Sequence, residues 1–308
     1  MNQDTQATIV NSWDYYMRCG NFEEAWKYSD ADLKARAGKR CWHLPRHYQY
    51  IWNGDSLEGK KVLIRCYHGL GDTIQFIRFA PMVKKVAKEV IVWAQPKLIP
   101  LLETMEDIDR LLPLHNGTPE VEYDVDVETM ELPHIFRTTL ETLPATVPYL
   151  HVEPLPILPK NNQLTVGLVW RGGDWDERRN IPFQTLLSLA NIPNIQFIIL
   201  QADAAGAGWH EGFGINVSDK SFMEHARIFK GLDLLISVDS MPAHLAGALG
   251  VPVWNLLQTK ADWRWMNDRE DSPWYPTMRL FRQEKEGDWE GVIQRVAAAL
   301  ENWSKAIR

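Results

Sequence analysis

Cysteine is scarce: Cys19, Cys41 and Cys66 are the chain's only three, and none is spaced as C-x-x-C. That excludes a disulfide framework and a cysteine-built zinc knot, and it points to a reducing compartment. Positive charge is also in deficit, with 33 Lys and Arg against 40 Asp and Glu and a formal net charge of −7. No global positive field gathers phosphates, so a nucleic-acid partner is excluded and any phosphate site is local. No apolar run reaches the roughly 20 residues that span a bilayer, which excludes a transmembrane segment, and the amino-terminal stretch lacks the basic-then-apolar order of a signal peptide. The expectation is a soluble, cytoplasmic protein.

What is present is alternation. At 308 residues the chain is long enough for two α/β domains, each burying its own core. Residues 5–36 read as two helices meeting at Gly20, and the spacing Gly20-x-Phe22-x-x-Ala25 is that of the middle of a tetratricopeptide repeat. A single hairpin of this kind cannot stack into a solenoid. From residue 60 the pattern becomes strand (62–66), helix (73–88), strand (90–94), helix (97–105) and strands at 110–114 and 123–127. A proline-rich stretch without periodicity, 151–163, reads as a linker. A second block follows with strands at 165–170, 196–201, 234–238 and 251–257 and helices at 183–190, 221–231 and 242–249. Strands alternating with helices predict parallel sheets wrapped by helices. The fold class is therefore α/β, with a helical hairpin over 1–45, a first doubly wound domain over 46–155 and a second over 156–308. The last helix, 289–307, carries Val292, Ile293, Val296, Ala297 and Leu300 on one face and is expected to cross back over the domain junction.

Three sites stand at the carboxyl ends of these strands, the edge where open α/β sheets bind ligands. The first is Tyr67-His68-Gly69-Leu70-Gly71-Asp72-Thr73. Gly69 and Gly71 allow backbone angles and close approaches that side chains block, and a helix start exposes amides to an anion. Asp72 has two readings, a helix N-cap or a general base at the mouth of a cleft. The second site is Asp239-Ser240-Met241-Pro242-Ala243-His244, where proline marks a first helical turn and the amides of Ser240 and Met241 can receive a diphosphate. His244, one turn in, is either a donor contact or a satisfied core histidine. The third is the loop from Arg171 through Gly172, Gly173, Asp174, Asp176, Arg178 and Arg179 to Asn180. Its arginines can wrap phosphoryl oxygens, or its mixed charges can pair among themselves. Tryptophan is abundant at 14 residues, with Trp254, Trp263, Trp265 and Trp274 grouped. Trp263 and Trp274 either line a sugar or nucleobase pocket or brace the tail. Gln201, at another strand end, is a candidate base or ribose contact.

The runs GLGDTIQFIRFAP from Gly69, VGLVWRGGDWDERRNIPF from Val166, DLLISVDSMPAHLAGALGVPVWNLL from Asp233 and DWRWMNDREDSPWYPTMRLFRQ from Asp262 resemble the glycosyltransferase domain of bacterial tetratricopeptide-repeat glycosyltransferases, which is related to the family 9 heptosyltransferases. The segments NFEEAWKY from Asn21 and PRHYQYIWNGDSLEGKKVL from Pro45 resemble the part that joins those repeats to the transferase, although the repeat array itself is missing. The resemblance implies a GT-B architecture, two Rossmann-like domains facing across a cleft, with acceptor on the first and nucleotide-sugar donor on the second. It implies that Asp72 is the catalytic base, that Asp239, Ser240 and His244 form the donor motif with Met241 beside them, and that Arg171 contacts phosphate. The heptosyltransferases carry a lysine and a Trp-Pro pair where this chain has Arg178-Arg179-Asn180-Ile181-Pro182, which leaves Arg178 and Arg179 as alternatives for the lysine's work.

The expected function is inverting transfer of a sugar from a nucleotide-diphosphate sugar to a hydroxyl of a glycan, a lipid-linked or a protein acceptor. No cofactor or metal is expected: Asp124 and Asp126 have D-x-D spacing but fall on an expected strand and read as structural. Two other classes remain open. One is a sugar-nucleotide or glycan binding module without turnover that recruits a partner, or another copy, through its helical hairpin. The other is an epimerase or hydrolase of the same nucleotide sugar.

Overall fold

The computed structural model describes residues 13–157 and 163–306; residues 5–12 of the expected first helix, 158–162 of the expected linker and residue 307 lie outside them. The chain divides into two compact units. The first comprises the described residues up to Ala145 together with Asp262–Asp268, and the second Thr146–Ala261 together with the described residues from Arg269 onward.

The first unit opens with helical residues 13–18, a turn at Gly20 with φ of +73° and helix α1 (Phe22–Arg36). Asn21 caps α1 by accepting from the Glu24 amide. Phe22, Ala25 and Trp26 are buried, and Trp26 Nε1 donates to the Thr138 carbonyl at 2.7 Å. Strands β1 (Lys61–Arg65), β2 (Glu89–Ala94), β3 (Arg110–Pro113) and β4 (Val125–Glu128) form one wholly parallel sheet in the order β3-β2-β1-β4. Val62, Leu63 and Ile64 have no exposed surface, as expected for a parallel strand covered on both faces. The helix expected over 73–88 is instead α2 (Leu70–Phe76), a tight turn over Ile77–Phe79 and α3 (Ala80–Val86). Pro81 is the cause, because it lacks an N–H and its ring clashes with the carbonyl four residues back. The expected helix over 97–105 is likewise reduced to short turns at Pro96–Leu98 and Ile99–Leu102, again around a proline, Pro100.

The second unit holds β5 (Leu164–Val169), β6 (Ile195–Ile199), β7 (Ile215–Asn216), β8 (Leu234–Val238), β9 (Val253–Leu257) and β10 (Met278–Arg282), all parallel, in the order β10-β9-β8-β5-β6-β7. That is the doubly wound order of a complete dinucleotide-binding fold, with the order reversing between β5 and β8. Two strands, β7 and β10, add to the four expected. The edge strand β10 alternates exposed Arg279 with buried Leu280, which masks it as a strand of a covered parallel sheet. Helices α4 (Phe222–Lys230), α5 (Met241–Ala248) and α6 (Trp289–Ala306) cover the sheet. The described part of the expected linker runs along this unit, where the Leu155 amide donates to the Arg227 carbonyl, and just before it the amides of Tyr149 and Leu150 donate to Ala248. On α6, Val292, Ile293, Val296 and Leu300 pack with Trp254, Leu256 and Phe281 of the second unit's own sheet. Among the described residues no helix is long and apolar enough to cross a membrane.

Candidate active site

In the first unit, β1 and β4 flank the point where strand order reverses, and Arg65 of β1 pairs in register with Glu128 of β4. Arg65 is buried and held by Asp126 at 2.7 Å. The turn beyond β1 is pinned from both neighbouring strands: Gln95 Nε2 donates to the His68 carbonyl at 2.7 Å, and the Tyr67 amide donates to Glu128 Oε1 at 3.3 Å. Helix α2 begins at Leu70 and not at residue 73, so Asp72 sits at its third position and Gly69 is the cap. Asp72 Oδ2 accepts the Gly69 amide at 3.0 Å, and Oδ1 accepts Nη2 of Arg264 at 2.9 Å. The carboxylate retains 21 % side-chain exposure and Arg264 10 %, so the ion pair is only partly shielded. Gly69 has φ of −65°; the expected positive backbone angle is not used there. Its service is closeness, since a Cβ would stand 3.1 Å from Asp72 Oδ2.

His68 and Glu128 complete this corner. Glu128 is 3 % exposed and its Oε1 receives His68 Nδ1 at 3.0 Å, while Oε2 accepts the Met130 amide at 2.6 Å. A carboxylate has no proton to give, so Nδ1 carries the hydrogen and Nε2 is left for other partners. Burial works to lower the His68 pKa, but the facing Glu128 carboxylate, aided by Asp72 and opposed by Arg264, outweighs it and leaves the imidazole above its ordinary value. The sign follows from linkage: a raised histidine stabilises fully below its unfolded pKa, and that contribution is lost as pH rises through the folded value. Thermal melting of the wild type at pH 6 against pH 9 is therefore expected to show a loss that His68→Gln does not share. Cys66, buried beneath the turn, has its thiol pushed up by burial and by Glu128, so it is no nucleophile.

His68, Glu128 and Trp263 line one cavity of about 290 Å³ with Trp13, Arg36, Tyr48 and Tyr50. Trp263, expected on the donor side, groups with this unit, stacking on Phe76 at 6.3 Å and meeting Trp13 edge-on at 5.3 Å. Arg36 reaches Glu131 at 2.9 Å. Burial raises the Glu131 carboxyl although the Glu128 and Trp52 amides and Arg36 oppose it.

In the second unit the loop after β5 meets the loop after β8 at the point of strand reversal. Arg179 makes the junction: Nη1 donates to the Asp239 carbonyl at 2.7 Å and Nη2 to the Gly173 carbonyl at 3.3 Å. A Cβ on Gly172 would come within 3.2 Å of that guanidinium. Arg171 is exposed, and its guanidinium makes one long contact, 3.5 Å to the Gly206 carbonyl. Ser240 caps α5 with extended backbone and no side-chain cap bond, because its Oγ turns back to the Val238 carbonyl at 3.0 Å. Pro242 has no amide N–H and the Ala243 amide donates to the Ser240 carbonyl at 3.0 Å, so Ser240 and Met241 carry the amides at this helix start, next to the Asp239 carbonyl that Arg179 holds, as at anion sites.

Other expected contacts are committed elsewhere. Arg178 closes a bidentate pair with Asp176, both bonds 2.8 Å, and with Gln258 it holds the Asp176 carboxyl well below the usual carboxylate range. Gln201 is buried, its Oε1 accepting the amides of Trp170 and Arg171 at 3.0 and 2.8 Å; it braces the end of β5. His244 is 2 % exposed and meets the Tyr275 hydroxyl at 3.0 Å. Trp274 has no exposed surface. Sequence reasoning missed Arg264, and it passed over the pairing of His68 with Glu128. Arg264 has no local signal at all, whereas Glu128 was findable as the acid ending the strand beside β1.

No protein-family model matches the chain. A curated relative, Protein FlbA of Caulobacter vibrioides, is 25% identical over 343 aligned positions, which cover 99% of this chain and 55% of the relative; the chain thus spans about half of that protein's length. Solved structures similar in fold include three glycosyltransferases. The family 9 glycosyl transferase of Veillonella parvula has a TM-score of 0.59 at 15% identity, covering 82% of this chain and 99% of its own. The ADP-heptose lipopolysaccharide heptosyltransferase II of E. coli has a TM-score of 0.55 at 14% identity, covering 80% and 99%. The iron-containing dodecameric glycosyltransferase TibC of enterotoxigenic E. coli has a TM-score of 0.54 at 12% identity, covering 82% and 76%. The chain has the α/β fold of the family 9 glycosyltransferases.

Proposed function

We propose that the chain is an inverting glycosyltransferase of GT-B type, taking a nucleotide-diphosphate sugar on its second unit and an acceptor hydroxyl on its first. The observation that carries this reading is the junction at the strand reversal of the second unit, where Arg179 ties Gly173 to Asp239. The junction sets Arg171's loop beside the start of α5, and a diphosphate needs that combination of amides and guanidinium. In the reaction the acceptor hydroxyl gives its proton to a base as its oxygen bonds to the anomeric carbon. The bond from that carbon to the diphosphate oxygen breaks, and the electron pair leaves with the nucleotide. Arg171 and the α5 amides stabilise the growing negative charge, so the step is not routed through a metal. Asp72 is the proposed base. One donor already sits on each of its oxygens, and a carboxylate accepts about four, so the hydroxyl finds a free lone pair.

Arg171→Ala is expected to weaken binding of a nucleoside diphosphate by about tenfold to a hundredfold, because a charge-assisted phosphate bond is lost. Arg178→Ala, removing a side chain already paired with Asp176, is expected to change it little. Calorimetric titration with uridine, guanosine and adenosine diphosphates measures both. A second reading, a nucleotide-sugar binding module without turnover, gains from the donors already on Asp72. Donor affinity without glycoside product from any acceptor would favour it.

A further inference from the structure

The cavity of the first unit has a built polar floor and aromatic walls. Its volume of about 290 Å³ stands at the small end of pockets that enclose organic ligands, roughly 300–1,000 Å³, and suits one ring. Trp13, Tyr48, Tyr50 and Trp263 line it, and Tyr48 is 65 % exposed, so that ring offers surface to a ligand, whereas Arg36 already lies over Tyr50 at 5.1 Å and Trp263 stacks on Phe76. The floor is the His68–Glu128 pair. Glu128 is fixed by the Tyr67 and Met130 amides and by Thr129 Oγ1 at 3.1 Å. With Nδ1 held there, the rotation of the imidazole is set and Nε2 is the atom left to a ligand.

We propose that this cavity seats the acceptor as a single hydroxyl-bearing saccharide ring, stacked on the aromatic walls, and that His68, aimed by Glu128, fixes which hydroxyl is presented. The proposal rests on the transferase reading and deepens it. Aromatic faces take the apolar side of a sugar ring, and a directional polar group fixes its rotation. The site is built partly from α1 and the 46–50 segment, which gives the helical hairpin a task in binding. His68 is here a binding residue, while Asp72, one helical turn along the same segment, remains the base.

The groups around the imidazole are Glu128 from β4, Asp72 from α2 and Arg264 from the 262–268 segment, with Arg36, His47 and Glu131 elsewhere on the cavity wall. The His68 pKa is raised above its ordinary value; when protonated, Nε2 donates a charge-assisted bond to a ring oxygen, and when neutral, with Nδ1 keeping its hydrogen on Glu128, it only accepts. Saccharide binding is expected to weaken by roughly fivefold as pH rises through the His68 pKa, the difference between a charged and a neutral hydrogen bond.

The experiment is saturation-transfer NMR on the full chain with a panel of methyl hexosides, methyl N-acetylhexosaminides and methyl hexuronides. Wild type should bind at least one glycoside. Tyr48→Ala, which removes an exposed side chain with no cost to the core, should weaken it about tenfold, and His68→Gln should abolish the pH dependence. Glu128→Gln should move the pH break to lower values, a result that a purely structural Glu128 would not give. Absence of binding to every glycoside, or binding that Tyr48→Ala and His68→Gln leave unchanged, overturns the proposal. Nucleoside diphosphate titration of the same samples separates the failures: nucleotide binding without glycoside binding sinks the cavity assignment alone, and glycoside binding without nucleotide binding sinks the transferase reading.

Discussion

Asp72→Asn is expected to lower the rate of sugar transfer by about 10²–10⁴-fold, the span that a positioned base contributes, while nucleotide affinity stays as in the wild type. The fold should survive. The substituted amide still offers an oxygen to the Gly69 N–H or to Arg264, and Arg264 keeps Asp262, whose Oδ1 lies 3.1 Å from its Nε. Loss of the charge opposite a guanidinium that is mostly buried should cost about 1–3 kcal/mol, less than breaking a fully buried pair. Arg264→Gln is the control that isolates the chemistry. Were Asp72 present only to hold Arg264, the two variants would be equally impaired; as a base, Asp72 makes its own loss far more severe. Comparable rates for the two, or more than about a tenth of wild-type transfer in Asp72→Asn, would remove Asp72 from the proton path.

Gly247→Ala should damage the second unit. Residue 247 lies within α5, and a Cβ there would stand 2.5, 2.8 and 2.9 Å from three ring atoms of Tyr275. The ring cannot give way, since Tyr275 has no exposed surface and its hydroxyl meets His244. Neither can the helix move freely, because Leu245, Ala246, Ala248 and Leu249 are also fully buried. Overpacking of this kind costs about 3 kcal/mol, from which the better helix propensity of alanine returns about 1 kcal/mol. The net loss of about 2 kcal/mol corresponds to a melting point lower by about 4–8 °C for a unit of this size. Any relief by displacement of α5 carries the amides of Ser240 and Met241 with it, so nucleotide affinity should fall along with stability. Thermal melting and calorimetry on the same variant test both; an unchanged melting point would mean that the α5–Tyr275 packing is looser than the distances say.

The parts of the fold written in local pattern were legible. Val62–Ile64 and Leu234–Val238 are short apolar runs that only a covered parallel strand accommodates, and both lie within strands. Proline decided where helices broke: Pro81 and Pro100 stand in the sequence, and each interrupts the apolar periodicity that otherwise spells one helix over 73–88 and another over 97–105. Strand β10 was hidden because an edge strand wears charge on its open side. At the candidate site, residues adjacent along the chain were readable as groups, and the loop of Arg171 and Arg179 does meet the Asp239–Met241 turn at one strand reversal. The bond from Arg264 to Asp72 spans 192 positions and leaves no trace in spacing. Trp274 and His244 show the converse limit: aromatic and imidazole rings near a motif are compatible with a ligand and with a core, and their burial is not written in the spacing.

If the strand reversal of the second unit holds a nucleotide diphosphate through Arg171 and the start of α5, isothermal titration of the full chain with a series of nucleotide-diphosphate sugars reads it most directly. Saturable, one-to-one binding of at least one member is predicted, weakened about tenfold or more in Arg171→Ala and unchanged in Asp72→Asn. Binding of none of them, or binding indifferent to Arg171, would contradict it.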